Sequence, residues 1–179
     1  MRIKRLKLPF ISLFFLFIST QVNAMGLFDF LKINVLSDVN GVVTLNGQPV
    51  NGAKVVLNVR IVFNNEKIEV VTETDINGKF HFDAINSKSI NTILPSAKMI
   101  DQRITFHYQG KEYLGWDMVK NNYDYNGELN DLSEPENRNN LIPFNLSCEL
   151  NDKSTTRRSG THEHIALTGI CRWEGESTK

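Results

Sequence analysis

Cysteine is almost missing from this 179-residue chain, which has only Cys148 and Cys171. The residue directly after Ala24 is Met25, not a cysteine, so the acceptor that a lipid anchor needs is absent. Neither sign of charge is in excess, with 20 basic and 20 acidic side chains. No basic stripe marks a nucleic-acid binder, and none is expected as a partner. The longest apolar stretch, Leu8 to Ile18, falls short of the about 20 residues that a membrane-spanning helix needs. No G-x-S-x-G elbow and no G-x-x-x-x-G-K-[ST] loop is present, so acyl transfer at serine and phosphate cradling have no signature.

What is present begins with a leader. Arg2, Lys4, Arg5 and Lys7 precede the apolar run, and Val22 and Ala24 stand at the −3 and −1 positions of a cleavage site. Residues 1–24 are therefore expected to be a signal peptide, and the product exported, periplasmic or secreted. After cleavage no integral membrane segment is expected. A start at Met25 would give a cytoplasmic product instead. Losing the leader leaves 16 basic against 20 acidic side chains, a net charge of −4.

Residues 25–37 mix apolar and charged side chains and read as a lead-in. From there to about residue 175 the apolar period is two. Ala53, Val55, Leu57, Val59, Ile61 and Phe63 form one face of a strand, with Lys54, Asn58 and Arg60 facing away. Phe80 and Phe82 point inward, and Lys79, His81 and Asp83 outward. Turns fall at Asn46-Gly47, Asn51-Gly52, Asp75 to Gly78 and Gln109-Gly110. The pattern predicts an all-β fold, a single antiparallel sandwich. Residues 120–140 lack periodicity and read as a long polar surface loop.

In an exported chain two cysteines read as one bridge. Cys148 and Cys171 lie on the apolar faces of the last strands, and a hairpin turning near Ser159-Gly160 would join them. Such a bridge contributes roughly 3 kcal/mol through the unfolded state.

Chemistry is thinly signalled. His162 and His164 share a strand face and are the metal candidates, but no third ligand accompanies them, so no metal or cofactor is expected. His81 and His107 face outward without a partner visible in the sequence. Asp75 to Gly78 misses the calcium-loop pattern, because its glycine arrives two residues early, and reads as a plain turn. Asn145-Leu146-Ser147 matches a glycosylation acceptor inside a strand. Tyr113, Trp116, Tyr123 and Tyr125 around the 120–140 loop are candidate anchors for a protein partner, with core packing as the alternative. Arg157 and Arg158 form a basic spot at a hairpin tip.

The stretches "GVVTLNGQPVNGAKVVL" and "TETDINGKFHF" resemble the carboxypeptidase regulatory-like, or transthyretin-like, β-sandwich family. Gly41, Val43, Gly47, Pro49, Val50, Gly52, Ala53 and Val55 match its first half, and Thr74, Asp75, Gly78, Phe80 and Phe82 its second. The match covers about residues 39–85. It implies a prealbumin-like sandwich serving as an accessory, adhesive or binding module. The Tyr-Arg-Gly-Ser ending of the hydrolase relatives is absent, as is the His-x-x-Glu zinc motif of the carboxypeptidases. The expectation is thus a non-catalytic binding or accessory protein of a bacterial envelope. The alternatives are a periplasmic immunity protein or inhibitor, and a small hydrolase or metal-dependent enzyme.

Overall fold

The computed structural model describes residues 32–88, 99–123, 128, 143–159 and 162–173, the side chains of 159 and 162–165 excepted. The expected signal peptide, Tyr125 and most of the 120–140 stretch lie outside the described residues.

Among these residues there are thirteen strands and no helix. They are β1 (Lys32–Leu36), β2 (Val39–Leu45), β3 (Gln48–Pro49), β4 (Lys54–Ile61), β5 (Glu66–Glu73), β6 (Lys79–Phe82), β7 (Ile85–Lys88), β8 (Ile100–Tyr108), β9 (Lys111–Lys120), β10 (Phe144–Glu149), β11 (Thr155–Ser159), β12 (His162–Gly169) and β13 (Cys171–Trp173). Six of them form one sheet, in the order β11-β12-β9-β8-β4-β5. Five form the other, in the order β13-β10-β2-β3 with β6 also on β2. The ribbon β1-β7 completes the set. The fold is the all-β sandwich that the alternation predicted.

The reason is visible in β4, where Val55, Leu57, Val59 and Ile61 are buried while Lys54, Asn58 and Arg60 are exposed. A shift of one residue would reverse every side chain, so the apolar face sets the register. That register runs unbroken against β5 on one side and β8 on the other. Rings close the core between the sheets: Phe80 of β6 meets Phe106 of β8 at 5.6 Å, and Trp116 of β9 meets Phe144 of β10 at 5.3 Å. The first pair is edge-to-face and the second tilted, and aromatic contacts of this kind add to area burial.

One pairing departs from the antiparallel rule. β10 runs parallel to β2, with Phe144 opposite Val39 and Glu149 opposite Thr44. Parallel neighbours need a long connection, and here nearly the whole domain is that connection.

Four local expectations are corrected. Residues 32–36 belong to no lead-in: they form β1, and Ile33, Val35 and Leu36 are buried. Phe63 is 47 % exposed, because β4 ends at Ile61 and the chain turns at Val62 to Asn65. The Cys148–Cys171 bridge forms, with the Cα atoms 4.1 Å apart, but its strands are not the arms of one hairpin. β10 pairs with β13, while the intervening β11-β12 hairpin lies in the other sheet. Arg157 is therefore a strand residue, not part of a tip.

Gly41 shows how close the packing is. A Cβ there would fall 2.1 Å from Cε1 of Phe80, the residue opposite it in the β2-β6 ladder. Gly41→Ala is expected to push that ring off its seat against Phe106 and to cost about 1–3 kcal/mol in urea unfolding.

Candidate functional site

β2 sits between β6 and β10, so one outward residue from each strand falls into a row. His81, Asn40 and Asn145 are register partners across the three strands. Asn40 Nδ2 donates to Asn145 Oδ1 at 3.4 Å, which turns Asn40 Oδ1 toward His81 Nδ1 at 2.9 Å. His81 Nε2 then meets Asp83 Oδ1 at 3.0 Å. Asp38, just before β2, accepts the Ala84 N–H at 2.7 Å through Oδ1. Asp38, His81 and Asp83 each offer a ligand atom, all within 4.8 Å of one another. One imidazole and two carboxylates are a donor set for a divalent cation such as zinc.

This row opens into a groove of about 1050 Å³. Asn145 and Ser147 line it on the β10 side, and Thr72 and Glu73 of β5 on the other. Lys79, His81 and Asp75 add charges of both signs. The floor therefore presents donors and acceptors in a fixed order along strands, which are rigid mounts for polar groups.

Two turns, one of them beside the groove, are held by carboxylates. Asp75 Oδ1 accepts the N–H groups of Asn77 and Lys79, each at 2.8 Å. The Lys79 N–H, with help from Asn77, outweighs burial and holds the Asp75 carboxyl below the ordinary range. That is the work of a turn, as the sequence suggested. Glu149 does the same for Asn46-Gly47. Its oxygens accept the N–H groups of Asn46 and Gly47, both at 2.9 Å, of Asn151 at 3.1 Å, and the Thr44 hydroxyl at 2.9 Å. Burial opposes ionisation of Glu149, but those donors offset it and the carboxyl lies below its ordinary value.

A second polar constellation is buried. Lys120 and Glu128 are both 0 % exposed and pair at 3.1 Å. Lys120 Nζ also donates to Asn34 Oδ1 at 2.7 Å. Gln102 Nε2 donates to Glu128 Oε1 at 2.8 Å, and the Ser37 N–H and hydroxyl reach its two oxygens at 3.0 and 2.7 Å. Residues 120 and 128 both fall in the stretch expected to be surface loop.

The sequence-based binding residues are not brought together. Trp116 is 0 % and Tyr123 8 % exposed, so both are core residues rather than exposed anchors. Tyr113 is half-buried against the core. Arg157 donates to the Thr155 hydroxyl at 2.7 Å, to the Gly169 carbonyl at 3.3 Å and to the Cys171 carbonyl, which ties β11 to the start of β13. Arg158 is exposed on β11. His162 and His164 begin β12, but their side chains lie outside the described residues. The Asn40, His81 and Asn145 row was missed because its members are 41 and 105 residues apart. Only the outward position of His81 was readable.

Fold and face together define a disulfide-bonded all-β domain with a polar groove on its five-stranded sheet. Within that class, the chain belongs to the family described as "Domain of unknown function (DUF6795)", whose model matches residues 39–153. No curated protein matches the chain.

The low-lying Glu149 carboxyl gives a pH test. A depressed folded-state value contributes stability above the unfolded value, and that contribution is lost as pH falls through the folded one. Urea midpoints should therefore drop on acidification below the ordinary Glu value of 4.5, and Glu149→Gln should flatten part of that drop. An unchanged acid limb in the variant would mean that the carboxylate does not hold the turn.

Proposed function

We propose that this chain is a non-catalytic binding protein of an oxidising envelope compartment, and that it recognises a protein partner through the groove beside His81. The observation that carries the reading is the hydrogen-bonded row of Asn145, Asn40 and His81 on the groove floor, with Asp83 bonded to the far nitrogen of His81. Interfaces of modest affinity are polar and wet, and a ladder of amide and imidazole groups suits them.

The disulfide supports the compartment. The chain holds a disulfide, which persists where thiols are not kept reduced. Among the described residues, no helix is long and apolar enough to cross a membrane. The disulfide is in keeping with the leader read at residues 1–24. The resemblance of residues 39–85 to accessory sandwich modules supports the same role.

The test is capture from the envelope fraction of the native host, with two surface variants compared against the native protein. His81→Ala with Asn145→Lys alters the groove, whereas Arg103→Glu alters the outer face of the six-stranded sheet. The partner should be lost at least tenfold with the first and retained with the second. Equal capture by all three proteins would remove the groove from the account.

A further inference from the structure

The buried constellation holds a primary amine, a carboxamide and a carboxylate in mutual contact. Lys120 Nζ lies 2.7 Å from Asn34 Oδ1 and 3.1 Å from Glu128 Oε1. Lys120 and Glu128 are 0 % exposed, and Asn34 is 5 % exposed. The Asn34 amide nitrogen donates to the Leu36 carbonyl at 3.0 Å and to Asn86 Oδ1 at 3.3 Å. That fixes the carboxamide with its carbonyl toward the amine and its NH2 away. The carbonyl carbon lies one C=O bond, about 1.2 Å, behind the oxygen. Attack therefore requires Nζ to shift from the oxygen toward that neighbouring carbon.

We propose that Lys120 and Asn34 become joined by an isopeptide bond within the folded chain, with Glu128 moving the protons. Glu128 Oε1 takes a proton from the Lys120 ammonium. The freed lone pair of Nζ attacks Asn34 Cγ, and the carbonyl π pair moves onto Oδ1. The Ser37 hydroxyl lies 3.4 Å from that oxygen and 2.7 Å from Glu128 Oε2. It is placed to receive the developing oxyanion once Glu128 carries the proton, as a preorganised donor does. The oxyanion then collapses, C=O re-forms and the Cγ–Nδ2 bond breaks. In the tetrahedral centre a proton passes from Nζ to Nδ2, so the group that leaves is ammonia, and Glu128 then gives its proton to that ammonia to make ammonium. The balance is Lys-NH3+ plus Asn carboxamide giving the amide and NH4+, with Glu128 again a carboxylate. No oxidant or co-reactant enters.

Burial supplies the rest. An amine held against one carbonyl has a very high effective concentration. Exclusion of water protects the product from hydrolysis. The bond would join β1 to the end of β9, across 86 residues, in a link that reducing agents leave intact.

The measurement is the intact mass of the purified full chain, with its N-terminus sequenced, followed by a tryptic map. The expected mass is lower than the sequence mass by one ammonia beyond the hydrogens of the disulfide. A branched peptide should join the segments carrying Asn34 and Lys120. An Asn-Gly pair can also shed ammonia by closing a succinimide, but that form reopens in mild alkali and survives Lys120→Arg. The isopeptide persists in alkali and is abolished by Lys120→Arg. Glu128→Gln should slow its formation about a hundredfold or more. Folded native protein without the branched peptide overturns the proposal, and so does ammonia loss that persists in Lys120→Arg without that peptide. The native peptide map decides the matter even if neither variant folds.

Discussion

Lys120 and Glu128 bring opposite charges into a site with no exposed surface, and their surroundings answer that demand. Removing such ions from water costs several kcal/mol each, and attraction repays this only when the remaining donors and acceptors are filled. Here Asn34 of β1, Ser37 after it and Gln102 of β8 all turn toward the pair. Gln102 also donates to the Val35 carbonyl at 2.8 Å, and the Asn34 N–H donates to the Tyr123 carbonyl at 2.9 Å. The pair thus decides where β1 lies and brings residue 128 into the interior. Not every group is satisfied: Gln102 Oε1 and the Trp116 indole N–H have no hydrogen-bond partner among the described residues.

Those buried charges explain where the sequence was readable and where it was not. Alternation revealed the faces of β4, β6 and β10, because burial on one side of a strand writes a period of two into the residues. Asn-Gly revealed turns because positive φ is cheap for Gly and tolerated by Asn, as at Asn46 and Gly47, and at Gln109-Gly110 the glycine was the signal. The two cysteines were paired correctly from their apolar faces. The route between them was not visible, because the choice of sheet for β11-β12 rests on pairing with β9, far away in sequence. Lys120 and Glu128 were misplaced on the surface for a plain reason. A charge enters the interior only with partners, and these partners lie in β1 and β8.

The same limit applies to the groove. Each of Asn40, His81 and Asn145 looks like an ordinary outward polar residue on its own strand. They become a row only because β10 runs parallel to β2, with Asn145 opposite Asn40, a pairing that no local pattern signals. Carboxylates at the turns do similar work on a smaller scale, with Asp75 and Glu149 holding backbone N–H groups that would otherwise face water. Polar chemistry in this domain is thus assembled from remote strands, whereas its apolar core is written locally.

The central claim is that the buried pair organises the domain, and a double-mutant cycle in urea, run in an Asn34→Ala background where no amide to Lys120 can form, tests it most directly. Glu128→Leu alone strands a buried ammonium and should cost about 3–5 kcal/mol. Adding Lys120→Met removes the stranded charge and should restore a large part of that loss. Stability losses that simply add would contradict the account, because two side chains that do not depend on each other contribute independently.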